Sequence, residues 1–185
     1  MSVYIPFGIL ALVLVWAIGN YNILVRLRQH VRESWSGINT ELKRRYDLIP
    51  NLVETVKGYA AHEREVLQAV TEARSRAAEE KGSPEHQAEV ENELVGALRK
   101  LFAVSERYPD LKASDNFLAM QRELANTEDR IQAARRFYNA NVRDMNTRRE
   151  VFPSNLIAAL FSFEPEEFFE IEDAGVRAAP VVKMD

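Results

Sequence analysis

The sequence lacks cysteine altogether and is poor in glycine and proline, with seven of each in 185 residues. Without cysteine there is no disulfide scaffold, no cysteine-ligated zinc or iron–sulfur site and no thiol nucleophile. The low glycine and proline content excludes collagen-like and proline-driven disordered chains. An excess of basic charge is also missing, since 24 Lys and Arg stand against 28 Asp and Glu and the net charge is −4. Nucleic acid is therefore not an expected partner.

Charge is missing from one end of the chain, because residues 1–25 carry no charged side chain. The run from Val3 to Ile18 is apolar, and the residues up to Val25 extend it to the roughly 20 that cross a bilayer core of about 30 Å. We predict a transmembrane anchor over 1–25. A secretory signal peptide is one alternative, but it needs a positive N-terminal region that is missing here. A buried core helix is another, but no polar stripe appears before Asn20.

Three arginines, Arg26, Arg28 and Arg32, directly follow the apolar run, and no basic side chain precedes it. The positive-inside rule then predicts a single-pass plasma-membrane protein with its N-terminus outside and its larger part in the cytoplasm. We expect the same arginines to contact anionic lipid headgroups, each contributing about 1 kcal/mol.

Beyond residue 26 the sequence has helical rather than strand periodicity. Two series of positions spaced by seven are apolar or aromatic except at Arg45 and Glu63. The series are Val31, Ile38, Arg45, Leu52, Tyr59, Val66, Ala73 and Trp35, Leu42, Ile49, Val56, Glu63, Val70, Ala77. Such a seam predicts one long helix or a pair of helices in register. We assign one helix over about 26–81, kinked at Pro50 because the pattern keeps its phase there, with a break and turn at Pro50 as the alternative.

Three more helices are predicted after the first. Their approximate ranges are 84–106, 114–150 and 154–162. Ser83 and Pro84 form a helix-start signal for the first of them. The fold class is therefore all-α, with the transmembrane helix followed by an up-and-down antiparallel four-helix bundle over 26–162. Residues 163–185 form an acidic C-terminal tail in which a short helical piece is expected.

Two strings in these helices are distinctive, Arg45-Tyr46-Asp47-Leu48-Ile49-Pro50-Asn51-Leu52 and Arg135-Arg136-Phe137-Tyr138-Asn139. With Trp35-Ser36-Gly37-Ile38 and Phe152-Pro153-Ser154, they resemble the LemA family of bacterial single-pass membrane proteins, from the anchor to about Phe169. The resemblance implies one transmembrane helix in the inner membrane and a cytoplasmic helical bundle. It implies no established catalytic activity, and it points to other membrane proteins as partners.

Charged residues occupy seam positions where apolar ones are expected, namely Arg45 on the first helix and Glu128 and Arg135 on the third. Such charges are costly unless paired, so we predict a carboxylate–guanidinium contact between these helices, with Glu63 and Arg45 as candidate partners. The wider set is interpreted as an interhelical network that sets register, with a ligand or partner groove as the alternative. Its members are Arg45, Asp47, Asn51, Glu63, Glu128, Arg135, Tyr138, Asn139 and Asn146.

Signals for catalysis and metal binding are weak. His62-Glu63 resembles the start of a metalloprotease helix, but Val66 stands where the second histidine would be. No nucleophile elbow and no phosphate-binding or dinucleotide-binding glycine pattern is present. We expect no catalytic residue, no metal and no cofactor.

The acidic tail contains Phe168 and Phe169, which either cover the end of the bundle or dock a partner. Taken together, the sequence predicts a membrane-anchored, non-enzymatic scaffold or adaptor that binds protein partners through its cytoplasmic helices. The alternatives are an extracytoplasmic bundle, a homo-oligomeric scaffold using the long seam, and a non-catalytic subunit of a membrane enzyme complex.

Overall fold

The structure, a computed structural model, describes residues 4–171, which form six α-helices and no β-strand. In chain order they are α1 (Tyr4–Tyr59), α2 (Arg64–Glu79), α3 (Pro84–Ser105), α4 (Pro109–Lys112), α5 (Asp115–Glu150) and α6 (Ser154–Leu160). The all-α class is confirmed for these residues, and the apolar N-terminal run is part of one long helix. Residues 1–3 of the predicted anchor and 172–185 of the predicted tail lie outside the described residues.

The single helix assigned to residues 26–81 is a pair of helices in the structure. α1 is continuous through Pro50, where a break was the alternative, and ends at Tyr59. α2 begins at Arg64 after a short turn. The prediction of one helix was wrong because each helix buries one apolar stripe, and the two stripes have the same spacing. The sequence pattern therefore looks the same with or without a turn between the helices.

The turn between α1 and α2 reverses the chain. The amide of Glu63 bonds the carbonyl of Ala60 at 3.0 Å, which closes the turn. α2 then runs back along α1, because Arg74 Nε donates to the Tyr46 carbonyl at 2.9 Å and the Tyr46 hydroxyl oxygen lies 3.2 Å from the Ala77 carbonyl oxygen. The two helices thus form an antiparallel hairpin.

Helix starts and ends elsewhere follow local sequence signals. The Ser83 hydroxyl accepts from the amide of His86 at 3.4 Å, and Pro84 is the first residue of α3, as the sequence predicts. The helical piece expected in the tail is absent from residues 163–171, the part of the tail that the structure describes. Pro165 has no amide to donate, and backbone groups around it bond side chains of α5 instead of forming helical bonds.

The chain divides into two compact units. We call the first, made of the residues up to Arg45 and Ala125–Phe168, the anchor unit, and the second, made of Tyr46–Leu124 and the residues from Phe169, the hairpin unit. The core of the anchor unit includes Leu24, Val31, Ile38, Leu42, Ile131, Tyr138, Val142, Met145 and Ile157. The core of the hairpin unit includes Ile49, Leu52, Val56, Val70, Ala73, Leu94, Leu101, Leu111, Phe117 and Phe169.

Candidate functional site

The first part of α1 exposes its large apolar side chains from Tyr4 to Ile18. By length and composition α1 is able to cross a membrane, and it is the one helix of this kind among residues 4–171. A core helix would be mostly buried, whereas only 11% of the most apolar 18-residue window of α1 is buried. The N-terminal part of α1 is therefore a candidate transmembrane span, whereas the part after it contributes to the protein core.

The arginines after the span differ in their surroundings. Arg26 is exposed, but the Arg28 guanidinium lies 5.0 Å from the centroid of the Phe163 ring, a cation–π contact within the protein. Arg32 is exposed and acts electrostatically on Glu166. Headgroup contact by these residues stays a prediction, and Arg28 and Arg32 also interact with groups of the protein itself.

The contact expected between the first and third predicted helices is present in the anchor unit. Arg45 Nη1 of α1 lies 2.8 Å from Glu128 Oε2 of α5, and Gln132 Nε2 donates to the other carboxylate oxygen at 3.2 Å. The Arg45 side chain is 2% exposed and that of Glu128 38% exposed. The pair thus joins a buried cation to a carboxylate at the edge of the helix interface, and a role in setting helix register stays a prediction.

The last residues of the anchor unit, 163–168, which we call the strap, are held along α5 by side chains. Asn146 makes a two-point contact with Glu166, since its Nδ2 donates to the Glu166 carbonyl and its Oδ1 accepts from the Glu166 amide, both at 2.9 Å. Arg149 Nε donates to the Phe163 carbonyl at 2.9 Å. An asparagine amide thereby replaces the backbone partner that a non-helical segment lacks.

Tyr138 completes this attachment. Its hydroxyl donates to the Glu167 carbonyl at 2.8 Å, and its ring lies 5.2 Å from that of Trp35. Burial raises the pKa of Tyr138, and the charges of Glu166 and Glu167 raise it further, so the hydroxyl stays a donor at physiological pH. Two of the predicted network residues, Tyr138 and Asn146, therefore bind the strap, a role that the sequence pattern did not indicate.

Glu166 is the half-buried carboxyl of the strap. Burial raises its pKa above the ordinary value, Arg32 and Arg28 oppose this shift, and Glu167 adds to it. The proton on this carboxyl is therefore held more tightly when the strap is attached than in the unfolded chain.

Other predicted residues fall in the hairpin unit. Glu63 was a candidate partner for the seam charges, but its Oε1 accepts from Arg107 Nη2 at 2.9 Å and from the Tyr108 hydroxyl at 3.1 Å. Glu63 therefore connects the α1–α2 turn to the residues that follow α3. Asp47 and Asn51 are exposed on α1.

A buried polar cluster in the hairpin unit was not predicted. Glu91 of α3 is fully buried, and the Tyr46 hydroxyl donates to its carboxylate. Gln87 Nε2 lies within 3.0 Å of the same carboxylate oxygen and within 3.1 Å of the Ala77 carbonyl. The cluster links α1, α2 and α3. A signal was available, because Gln87, Glu91 and the apolar Leu94 and Leu98 recur at helical spacing on one face.

The remaining predicted residues are placed as follows. Arg135 and Asn139 are partly buried on α5 of the anchor unit. Phe168 is 41% exposed, whereas Phe169 is fully buried in the hairpin unit, so the two tail rings have different surroundings. Within residues 4–171 no group of three or more His, Cys, Asp or Glu side chains is arranged to hold a metal ion, and His62 is exposed.

Comparison with known proteins identifies the family. Residues 34–184, which make up most of the chain, match the LemA family. The chain belongs to the LemA family. The strings on which the resemblance rests include residues with visible structural roles, among them Tyr46 in the buried cluster and Tyr138 on the strap.

Relatives of this LemA-family protein include Protein LemA of Metamycoplasma hominis, 31% identical over 144 residues, which cover 76% of this chain and 64% of the relative. Magnetosome protein MamQ 2 of Paramagnetospirillum magneticum is 27% identical over 180 residues, covering 84% of this chain and 66% of the relative. Magnetosome protein MamQ of Magnetospirillum gryphiswaldense is 26% identical over a stretch of the same length. The chain spans less than two thirds of the length of these relatives.

Proposed function

We propose that this LemA-family protein is a non-enzymatic scaffold or adaptor, anchored in the bacterial inner membrane by α1. In this proposal the helices beyond the anchor form an up-and-down four-helix bundle in the cytoplasm and bind protein partners. The observation that carries the proposal is the exposed apolar surface from Tyr4 to Ile18, followed by Arg26 and Arg28. Such a surface is favourable in lipid and unfavourable in water.

The non-enzymatic part of the proposal is supported by the use made of the polar side chains. Arg45 binds Glu128, Asn146 binds the strap, and Glu63 binds Arg107. Each of these contacts joins two segments of the fold, which is typical of a structural side chain and not of a catalytic one.

Phe137 is the position we propose for partner contact. Its ring is 64% exposed on α5, although its neighbour Tyr138 is buried. Arg136 beside it is also exposed. An exposed aromatic next to a guanidinium is typical of the anchor residues in protein interfaces.

The test is in-cell photo-cross-linking from position 137, followed by mild-detergent purification and mass analysis. Ala69 of α2, also exposed, is the matched control position. A recurrent protein cross-linked at a fixed ratio from 137 and not from 69 would support the adaptor proposal. Cross-links to further copies of this chain and nothing else would contradict it in favour of a homo-oligomeric scaffold.

Two measurements test the remaining parts of the proposal. A reporter fused to the C-terminus, active only outside the cytoplasm, should be inactive, and an active reporter would contradict the cytoplasmic orientation. The intact mass of the membrane-extracted protein should show an uncleaved anchor, whereas loss of the N-terminal segment would indicate a signal peptide. If the cross-linked partner is a membrane enzyme that loses activity without this protein, a role as its non-catalytic subunit is favoured.

A further inference from the structure

α6 and the turn before it expose a second apolar surface. Its side chains are 49–74% exposed: Val151, Phe152, Leu156, Leu160 and Phe161. No charged residue lies between Val151 and Phe163. The opposite side of α6 is buried through Ile157 and Ala158. A helix that is apolar on its buried side and on its exposed side needs a second apolar environment.

This surface lies beside the end of the candidate span. The Phe161 ring is 4.7 Å from the Tyr21 ring, and the Phe163 ring is 5.9 Å from it. Arg148, in the last turn of α5, donates a hydrogen bond to the Asn20 side chain. Asn20 and Tyr21 follow the exposed apolar stretch that ends at Ile18, with only Gly19 between. The surface on α6 therefore continues the apolar surface of α1 at the point where the span ends.

We propose that α6 is a second membrane contact of this protein. In this arrangement Phe152, Leu156 and Leu160 lie in the boundary between headgroups and acyl chains, next to the exit of α1 from the bilayer. Helices that lie in this boundary bury an apolar face about 5–10 Å deep. The inference rests on the proposed membrane anchor and adds a lipid-binding face to it.

Charge and position both favour lipid as the occupant over protein. Five arginines lie in this part of the anchor unit, Arg26, Arg28 and Arg32 on α1 and Arg148 and Arg149 on α5, against the acids Glu150, Glu164 and Glu166. The excess of positive charge suits the phosphates of anionic headgroups. The contacts to Asn20 and Tyr21 also keep α6 within reach of the bilayer whenever α1 spans it.

The experiment uses the full chain in vesicles of phosphatidylcholine and phosphatidylglycerol. Because the protein has no cysteine, Leu160→Cys places a single environment-sensitive fluorophore on α6. Phe137→Cys is the matched control, since Phe137 is 64% exposed and its neighbour Tyr138 contacts Trp35, roughly 20 Å further along α1 than Tyr21 at 1.5 Å per residue. Leu14→Cys reports on the anchor itself.

We expect nitroxide lipids labelled near the headgroup to quench the label at 160 at least about twofold more than the label at 137. Adding Leu156→Asp should lower quenching at 160 to the level at 137, and circular dichroism should show unchanged helix content. A label at 160 that stays as accessible to aqueous iodide as the label at 137, while the label at 14 is quenched by lipid, would overturn this inference and leave the anchor proposal intact. A label at 14 that lipid does not quench would overturn both.

A third outcome concerns self-association. The fluorophore at 160 could show a blue shift that nitroxide lipids do not quench and that increases with the protein-to-lipid ratio. Such a shift would mean that a second copy of the chain covers α6. That result would also overturn the lipid proposal.

Discussion

Arg74 Nε donates a 2.9 Å hydrogen bond to the backbone carbonyl of Tyr46. In an unbroken helix that carbonyl would accept from the residue four positions later, but Pro50 has no N–H to donate. A side chain from α2 therefore supplies the missing donor, and α1 continues through Pro50 instead of ending there. The same bond ties the two helices of the hairpin together.

Arg74→Ala should lower the free energy of unfolding by about 1–3 kcal/mol, because it leaves a partly buried carbonyl without a donor. In the Pro50→Ala background the restored backbone N–H takes over that carbonyl, so the loss should fall below about 1 kcal/mol. Denaturant unfolding of the detergent-solubilised chain, followed by circular dichroism, measures both.

Arg76 provides the control for this cycle. It lies on the same helix and forms an exposed pair with Glu93 at 2.8 Å, so Arg76→Ala should cost under about 1 kcal/mol in either background. An equal loss for Arg74→Ala with and without Pro50 would show that the two residues do not act on one carbonyl.

Removal of the carboxylate from the Arg45–Glu128 pair should lower the free energy of unfolding more than removal of both charges. Glu128→Ala leaves a guanidinium that is 2% exposed without its 2.8 Å partner, and we expect a loss of about 1–3 kcal/mol, moderated by the partial exposure of Glu128. The double variant Arg45→Met/Glu128→Leu should recover part of this loss, because it leaves no buried charge. Thermal or denaturant unfolding measures both variants. A double variant that is less stable than Glu128→Ala would argue against a role of the pair in setting helix register.

Asn146→Ala should loosen the strap without unfolding the helices. It removes both 2.9 Å bonds to Glu166, so amide hydrogen exchange at Glu166 should speed up about tenfold. Thr147→Ala, an exposed substitution one position later on α5, is the matched control and should leave that exchange rate unchanged. Unchanged exchange at Glu166 in Asn146→Ala would mean that the strap is held by other contacts.

The strap should also weaken as pH rises. Burial raises the pKa of Glu166 above its ordinary value of 4.5, so the folded chain holds this proton more tightly than the unfolded chain. Its contribution is therefore fully present below 4.5 and is lost as pH rises through the raised pKa. Protection of the strap amides, corrected for the intrinsic exchange rate, should fall across this window.

Glu166→Gln should flatten this pH dependence, because it removes the titrating group. Glu164→Gln makes the same charge change at an exposed position of the strap and serves as the comparison. A pH profile that is the same in wild type and in Glu166→Gln would assign the effect to another group.

Local signals in the sequence predicted much of this protein correctly. Ser83 and Pro84 mark the start of α3, and the apolar run in residues 1–25 marks the exposed start of α1. The charged seam positions predicted the Arg45–Glu128 contact, because a buried arginine requires a carboxylate nearby. Glu91 escaped prediction, since a single glutamate on an amphipathic helix usually faces solvent.

The sequence by itself determined the properties that depend on neighbours along the chain: helix caps, helical periodicity, the uncharged segment and family membership. The tertiary structure decided where the chain turns back and which polar groups meet, as at Ala60–Glu63 and in the pairing of Asn146 with Glu166. The physical reason is that a seven-residue repeat is the same whether one long helix or two antiparallel helices bury it. Only the contact of distant segments distinguishes the two, and that contact forms when the chain folds back on itself.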